Sequence, residues 1–173
     1  DDVTAYNIYY APIEGQELQL IATINVLEDT TYLFPVEDYN FSIAGCYAVT
    51  ALDSLNLWPD GELHQNESAF SEIICIDNCP LYFLPNIFTP NGDGQNDLFV
   101  PFPYRYIDNI DLKIFNRYGT IVFESKDPAV LWDGTDYNSK EIATDGAYYY
   151  VITVNSIRLS GIVEEKFSGT IQI

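Results

Sequence analysis

The run Leu84–Phe99, LPNIFTPNGDGQNDLF, decides how the rest of the chain is read. Apolar Ile87-Phe88 and Leu98-Phe99 flank Pro90, Asn91, Gly92, Asp93, Gly94, Asn96 and Asp97. Pro90 fixes its own φ and drives Thr89 toward an extended conformation. Gly92 and Gly94 accept positive φ with no Cβ to clash, and Asn and Asp side chains bond nearby backbone amides. Such a run is a tight polar loop between two strands. Asn91, Asp93, Gln95 and Asp97 also put oxygen-bearing side chains at alternate positions, as in a calcium loop. Calcium is therefore the one cofactor the sequence suggests, and none is required. With Asn and Gln in place of two acids and no Glu at the loop's far end, the competing reading is a hydrogen-bonded turn capped by Asp93 and Asp97.

Outward from that loop, the two sides differ in charge. The net charge is −19, yet all seven Lys and Arg residues, from Arg105 to Lys166, lie beyond Leu84. A chain so acidic, with no cationic cluster, is not built to bind nucleic acid. No apolar run approaches the length of a transmembrane helix. The 173 residues, rich in Tyr (14) and without Met, alternate Tyr, Ile, Val, Phe and Thr in short runs. That pattern reads as all-β, with two Ig-like sandwich modules in tandem at 1–80 and 84–173.

Before the loop, Thr4–Pro12, Glu17–Val26, Gly45–Asp53 and Ser68–Asp77 read as strands, Thr30–Val36 as a short extended piece and Ser54–Glu67 as a polar loop. Leu18, Leu20, Ala22 and Ile24 are expected on one strand face; Cys46, Ala48 and Thr50 are expected on one face of another. Cys46, Cys75 and Cys79 are an odd count, so a Cys75–Cys79 bridge and a partner elsewhere in a longer protein both stand as readings. This half resembles a fibronectin type III or Ig-like module, and on that resemblance its first two strands are absent. Asp77–Pro85 is too apolar for a floppy linker. Asn40-Phe41-Ser42 and Asn66-Glu67-Ser68 fit the N-glycosylation triplet, and Asp29-Thr30-Thr31 and Asp53-Ser54-Leu55 resemble O-glycosylation sites of exported proteins.

After the loop, Asp97–Pro101, Ile110–Asn116, Thr120–Glu124, Ala147–Asn155 and Gly161–Ile173 read as strands, with a hairpin turn at Gly119. Tyr148 and Tyr150 share one face, Tyr149 and Val151 the other. Four pieces follow the loop in order: DLKIFNRYGTIVFES (Asp111–Ser125), WDGT (Trp132–Thr135), DGAYYYVITV (Asp145–Val154) and KFSGTIQI (Lys166–Ile173). Together with the loop they resemble the gliding-motility-associated C-terminal domain, the type B sorting domain of the Bacteroidetes type IX secretion system. The residues that carry the resemblance, and are its candidate recognition residues, are Phe88, Pro90, Asn91, Gly92, Asp93, Gly94, Asn96, Asp97, Arg117, Gly119, Trp132, Asp133, Gly134, Gly146, Tyr148 and Gly169.

The resemblance implies a sorting function rather than a reaction. It implies export of a large cargo, an adhesin or gliding-type protein, through the outer-membrane type IX translocon. It also implies a dedicated outer-membrane partner protein and a destination on the outer-membrane surface or outside the cell. Catalysis is not expected. His64 is the only His, so a Ser or Cys nucleophile would depend on it as base, and nothing singles out a working pair among the acids. A carbohydrate-binding or adhesive module and a passive spacer are the alternative readings. For sugar stacking the candidates are Tyr6, Tyr9, Tyr10, Trp58, Tyr104, Tyr106 and Tyr137.

Overall fold

A computed structural model describes residues 2–26, 31–34 and 42–173. Those residues are all-β, without a helix, and divide into two units, Asp1–Asn78 and Cys79–Ile173. The piece Thr30–Val36 and the triplets at 29–31 and 40–42 lie wholly or partly outside the described residues.

In the first unit, strands β1 (Ala5–Ala11), β2 (Gln19–Asn25), β3 (Gly45–Leu52) and β6 (Ile74–Ile76) form one antiparallel sheet in the order β2-β1-β3-β6. The segment expected as a loop contains a small hairpin, β4 (Asn56–Leu57) with β5 (Leu63–His64). Ser68–Asp77, expected as a full strand, is strand only at β6. Ahead of β6 the chain still runs beside β3, where the Ser68 and Ser71 amides donate to Ala51 and Val49 carbonyls. Those residues supply occasional bonds rather than a continuous ladder.

The expectation for β2 needs correction. Tyr9 pairs with Leu20 and Ile8 with Ala22, leaving Ile21 as an extra residue. A bulge of this kind flips the alternation, so Leu20 and Ala22 stand on opposite faces rather than together. In β3 the alternation holds: Cys46, Ala48 and Thr50 are buried and Val49 is exposed.

In the second unit, β7 (Ile107–Phe115), β8 (Ile121–Ser125), β9 (Ala147–Arg158) and β10 (Gly161–Gln172) form a sheet in the order β10-β9-β7-β8. Period-two alternation turns Ile110, Leu112 and Ile114 of β7 and Tyr148, Ile152 and Val154 of β9 into the core. Tyr149 and Val151 face out. Other segments contribute isolated bridges in place of strands: Leu81 with Arg105, Phe99 with Trp132 and Ile87 with Gln172. Asp97–Pro101 is thus one bridge at Phe99 and not a strand. The apolar stretch before the loop belongs to this unit, since buried Tyr82 joins its core cluster and donates its hydroxyl to the Pro128 carbonyl at 2.7 Å. The Tyr148 hydroxyl reaches back to the Thr144 carbonyl at 2.8 Å, a bond of the tyrosine-corner type found in Ig-like sandwiches.

Candidate recognition site

The loop after Phe88 is closed by its own side chains. The Asp97 carboxylate accepts the Gly92 amide on one oxygen and the Gly94 amide on the other, each at 2.7 Å. Asn91 Oδ1 accepts the Asp93 amide at 3.0 Å, and Asp93 Oδ1 accepts the Gln95 amide at 2.8 Å. Asn91 Nδ2 donates to the remaining Asp93 oxygen at 3.1 Å. Gly92, Gly94 and Asn96 all take positive φ, at 76°, 84° and 53°, which lets the four successive amides of Gly92 to Gln95 point inward. The Thr89 amide closes the loop on the Asn96 carbonyl at 2.8 Å. Of the four residues with calcium-loop spacing, Asn91, Asp93 and Asp97 are therefore turned toward the loop's own amides. Among the described residues no three His, Cys, Asp or Glu side chains converge to hold a metal ion.

This loop stands on an aromatic base. Trp132 is buried against Phe88 (ring centroids 5.1 Å apart), Phe99 (6.3 Å), Phe123 (5.7 Å) and Tyr148 (6.0 Å). Phe99 and Trp132 also exchange backbone hydrogen bonds of 2.7 and 3.3 Å. The indole N–H, which burial would otherwise strand, donates to the Thr135 carbonyl at 3.0 Å, and Asp133 Oδ1 accepts the Thr135 amide at 2.9 Å. Gly134 takes φ 82°, and a Cβ there would lie 2.9 Å from the Pro90 side chain. The Trp-Asp-Gly turn and the Pro90 loop thus touch through a contact only glycine permits. Residues more than 40 apart in sequence meet here: Phe88, Pro90, Phe99, Trp132, Asp133, Gly134 and Tyr148.

A second group lies around a cleft of about 190 Å³ that Arg117, Gly146 and Tyr148 help to line. Arg117 sits at the tip of the β7–β8 hairpin, its guanidinium 5.1 Å from the Tyr118 ring. Asn116 shapes that tip by accepting the Tyr118 and Thr120 amides, with Gly119 at φ 80°. Gly146 exchanges two backbone bonds of 3.1 Å with Ile173, which fixes the last residue of the chain. Gly169 stands apart, under Tyr150, where a Cβ would lie 2.6 Å from the hydroxyl oxygen and 2.7 Å from the ring.

Sequence reasoning missed two residues beside the site. Val130 and Leu131, immediately before Trp132, have φ of 61° and 58°, a conformation costly for non-glycine residues and most of all for β-branched Val130. No local signal marks them, since neither Val nor Leu is a residue type that favours this conformation. The cysteines resolve as a Cys46–Cys75 disulfide between paired strands β3 and β6, with Cys79 exposed and unbridged. The Cys75–Cys79 bridge does not form. His64 accepts or donates a 3.0 Å contact with Asp60 and stacks on Trp58.

The second unit is thus an all-β domain whose signature residues hold one rigid loop and one turn against its core. Residues 82–173 match the CHU_C Type IX secretion signal domain, and the chain belongs to that family. Membership means that it engages the type IX secretion machinery and is exported to the cell surface or beyond. A secretion signal domain is not a catalytic family, and no helix of the described residues is long and apolar enough to cross a membrane. Among curated proteins none matches the chain.

Proposed function

We propose that residues 82–173 are the C-terminal signal by which the type IX translocon carries a large surface protein, an adhesin or gliding-type cargo, across the outer membrane. A dedicated outer-membrane partner then holds the cargo at the surface. The observation that supports this reading is the meeting of separate signature pieces, the Pro90–Asp97 loop and the Trp132–Gly134 turn, in one self-satisfied surface feature. A shape fixed by internal hydrogen bonds and a glycine contact stays the same whatever cargo precedes it. The first unit we read as a fibronectin type III or Ig-like module of that cargo; its antiparallel sheet β2-β1-β3-β6 supports the reading.

The test fuses the full chain behind an export signal and a fluorescent reporter in a host with the type IX system. Reporter at the surface or in the medium, lost in a translocon mutant, is the expected outcome. A folded fusion that remains in the periplasm of the competent host overturns the reading.

A further inference from the structure

The sheet of the second unit treats its two edges differently. On the outer side of β8, the Tyr137 amide donates to the Val122 carbonyl at 3.0 Å and Asn138 Nδ2 to the Ile121 carbonyl at 2.8 Å, so that edge is covered. At the other edge, β10 pairs with β9 through 12 residues with no register shift, and no proline interrupts it. Among the described residues, its end alone is bridged from outside. Gln172 bonds Asn86 and Phe88 at 2.9 and 3.2 Å, in a parallel bridge at Ile87. Among the described residues no strand lies outside Ile162–Thr170. A long, straight, uncovered edge is what natural sheets avoid unless something pairs with it.

The register places Val163, Glu165, Phe167, Gly169 and Ile171 on the inward face, opposite Ser156, Val154, Ile152, Tyr150 and Tyr148. Of these, Ile171 is fully buried, but Phe167 remains 37% exposed. Beside them opens a groove of about 310 Å³, lined by Leu81, Phe83, Tyr150, Val154, Glu165 and Phe167 among others. Phe83, on its rim, is 61% exposed. Glu165 is the charge in this apolar setting. The neighbouring Lys166 is taken by Glu164 at 2.8 Å, and among the described residues no cation lies within ion-pair distance of Glu165. An inward-facing acid deters indiscriminate edge pairing, and a net charge of −19 opposes a second copy of the chain. Both features favour a partner that brings its own cation.

We propose that the uncovered edge of β10 receives an extended segment of a partner protein as an added strand, with a large apolar side chain in the groove and a Lys or Arg facing Glu165. The open stretch, Ile162 to Thr170, accommodates a strand of roughly 30 Å at the usual rise per residue. Asn86–Phe88 forms the stop that sets its register. The proposal rests on the export reading and names how the machinery holds the domain.

The test uses the full-chain fusion, with a photoreactive residue at Ser168 on β10. The wild-type chain is expected to reach the surface and to cross-link to a type IX component. Phe83→Ala/Glu165→Lys is expected to cut both export and cross-linking about tenfold or more, and Glu165→Gln to cut them less. Exposed Leu57→Ala in the first unit serves as the control that leaves both unchanged. Glu165→Lys alone, at an exposed position, guards against loss through misfolding, and an unchanged melting temperature confirms it. Export of the double variant at the wild-type level overturns the added strand while leaving the sorting function intact. A wild-type chain retained in the periplasm overturns the sorting function and the added strand together.

Discussion

The two units share strand chemistry but are held together differently. The second buries Trp132, Phe88, Phe99 and a layer of Ile and Leu in one cluster. Among the described residues of the first, the buried apolar side chains are small, Ala11, Ala44, Cys46 and Ala48, accompanied by buried Asn7, Thr50 and Asn78. Its larger apolar residues, such as Leu57, Leu63 and Ile74, are exposed. Its described residues are joined by the Cys46–Cys75 bridge, by the half-buried rings of Tyr10, Phe34 and Tyr47, and by a polar network around Glu67. One Glu67 oxygen accepts Asn7 Nδ2 at 2.9 Å, the Tyr9 hydroxyl at 2.7 Å and the Thr50 hydroxyl. Thr23 in turn donates to Asn7 Oδ1 at 2.6 Å. Apolar burial scales with side-chain size, so the second unit depends on a few large buried residues, and the described part of the first draws more on a covalent link, half-buried rings and a charge.

The largest expected effect breaks the second unit alone. Trp132→Ala removes the residue on which the aromatic base converges and should cost about 3–5 kcal/mol. Denaturation of the full chain should show the second unit's transition moved to lower denaturant, with the first unit's in place. A joint shift would mean that the units are energetically coupled. Reduction of Cys46–Cys75 should do the converse. The bridge closes a sequence separation of 29, so the chain-entropy account gives about 3–4 kcal/mol. Melting with and without reductant checks whether the loss is confined to the first unit.

The sequence was legible where local rules act alone. The polar loop, the β7–β8 hairpin turn at Gly119 and the faces of β3 and β9 follow from turn residues and period-two alternation. It was less legible where neighbours decide. The Ile21 bulge arises from pairing with Tyr9, and the alternation of Glu17–Val26 shows no trace of it. Leu81-Tyr82 looks like linker until Arg105 is bridged to Leu81 and the Pro128 carbonyl placed at the Tyr82 hydroxyl. Five of the signature residues, Phe88, Pro90, Trp132, Gly134 and Tyr148, could be named one by one. That they meet follows from tertiary contact, as does the contrast between the two edges of the sheet.

A smaller effect separates the two readings of the loop. Asp97→Ala leaves the Gly92 and Gly94 amides without their acceptor and should lower the second unit's stability by about 1–2 kcal/mol. The melting temperature should be the same in calcium and in chelator. A rise in calcium that Asp97→Ala abolishes would replace the turn with a cation site.

The smallest effect is a pH dependence confined to the first unit. Hydrogen bonds from Asn7, then Thr50 and Tyr9, hold the Glu67 carboxyl below its ordinary value of 4.5. The Asn66 side chain and amide hold Asp53 below 3.8. A carboxyl whose pKa is lowered on folding stabilises the fold fully above its unfolded value, and that contribution drains as pH falls through the folded value. The first unit's melting temperature should therefore be flat above about pH 5 and decline below it, while reduction of the disulfide shifts the whole curve downward. Glu67→Gln keeps an acceptor but removes the titration, so its curve should decline less steeply. A wild-type first unit indifferent to acid would mean that Glu67 does not hold the network.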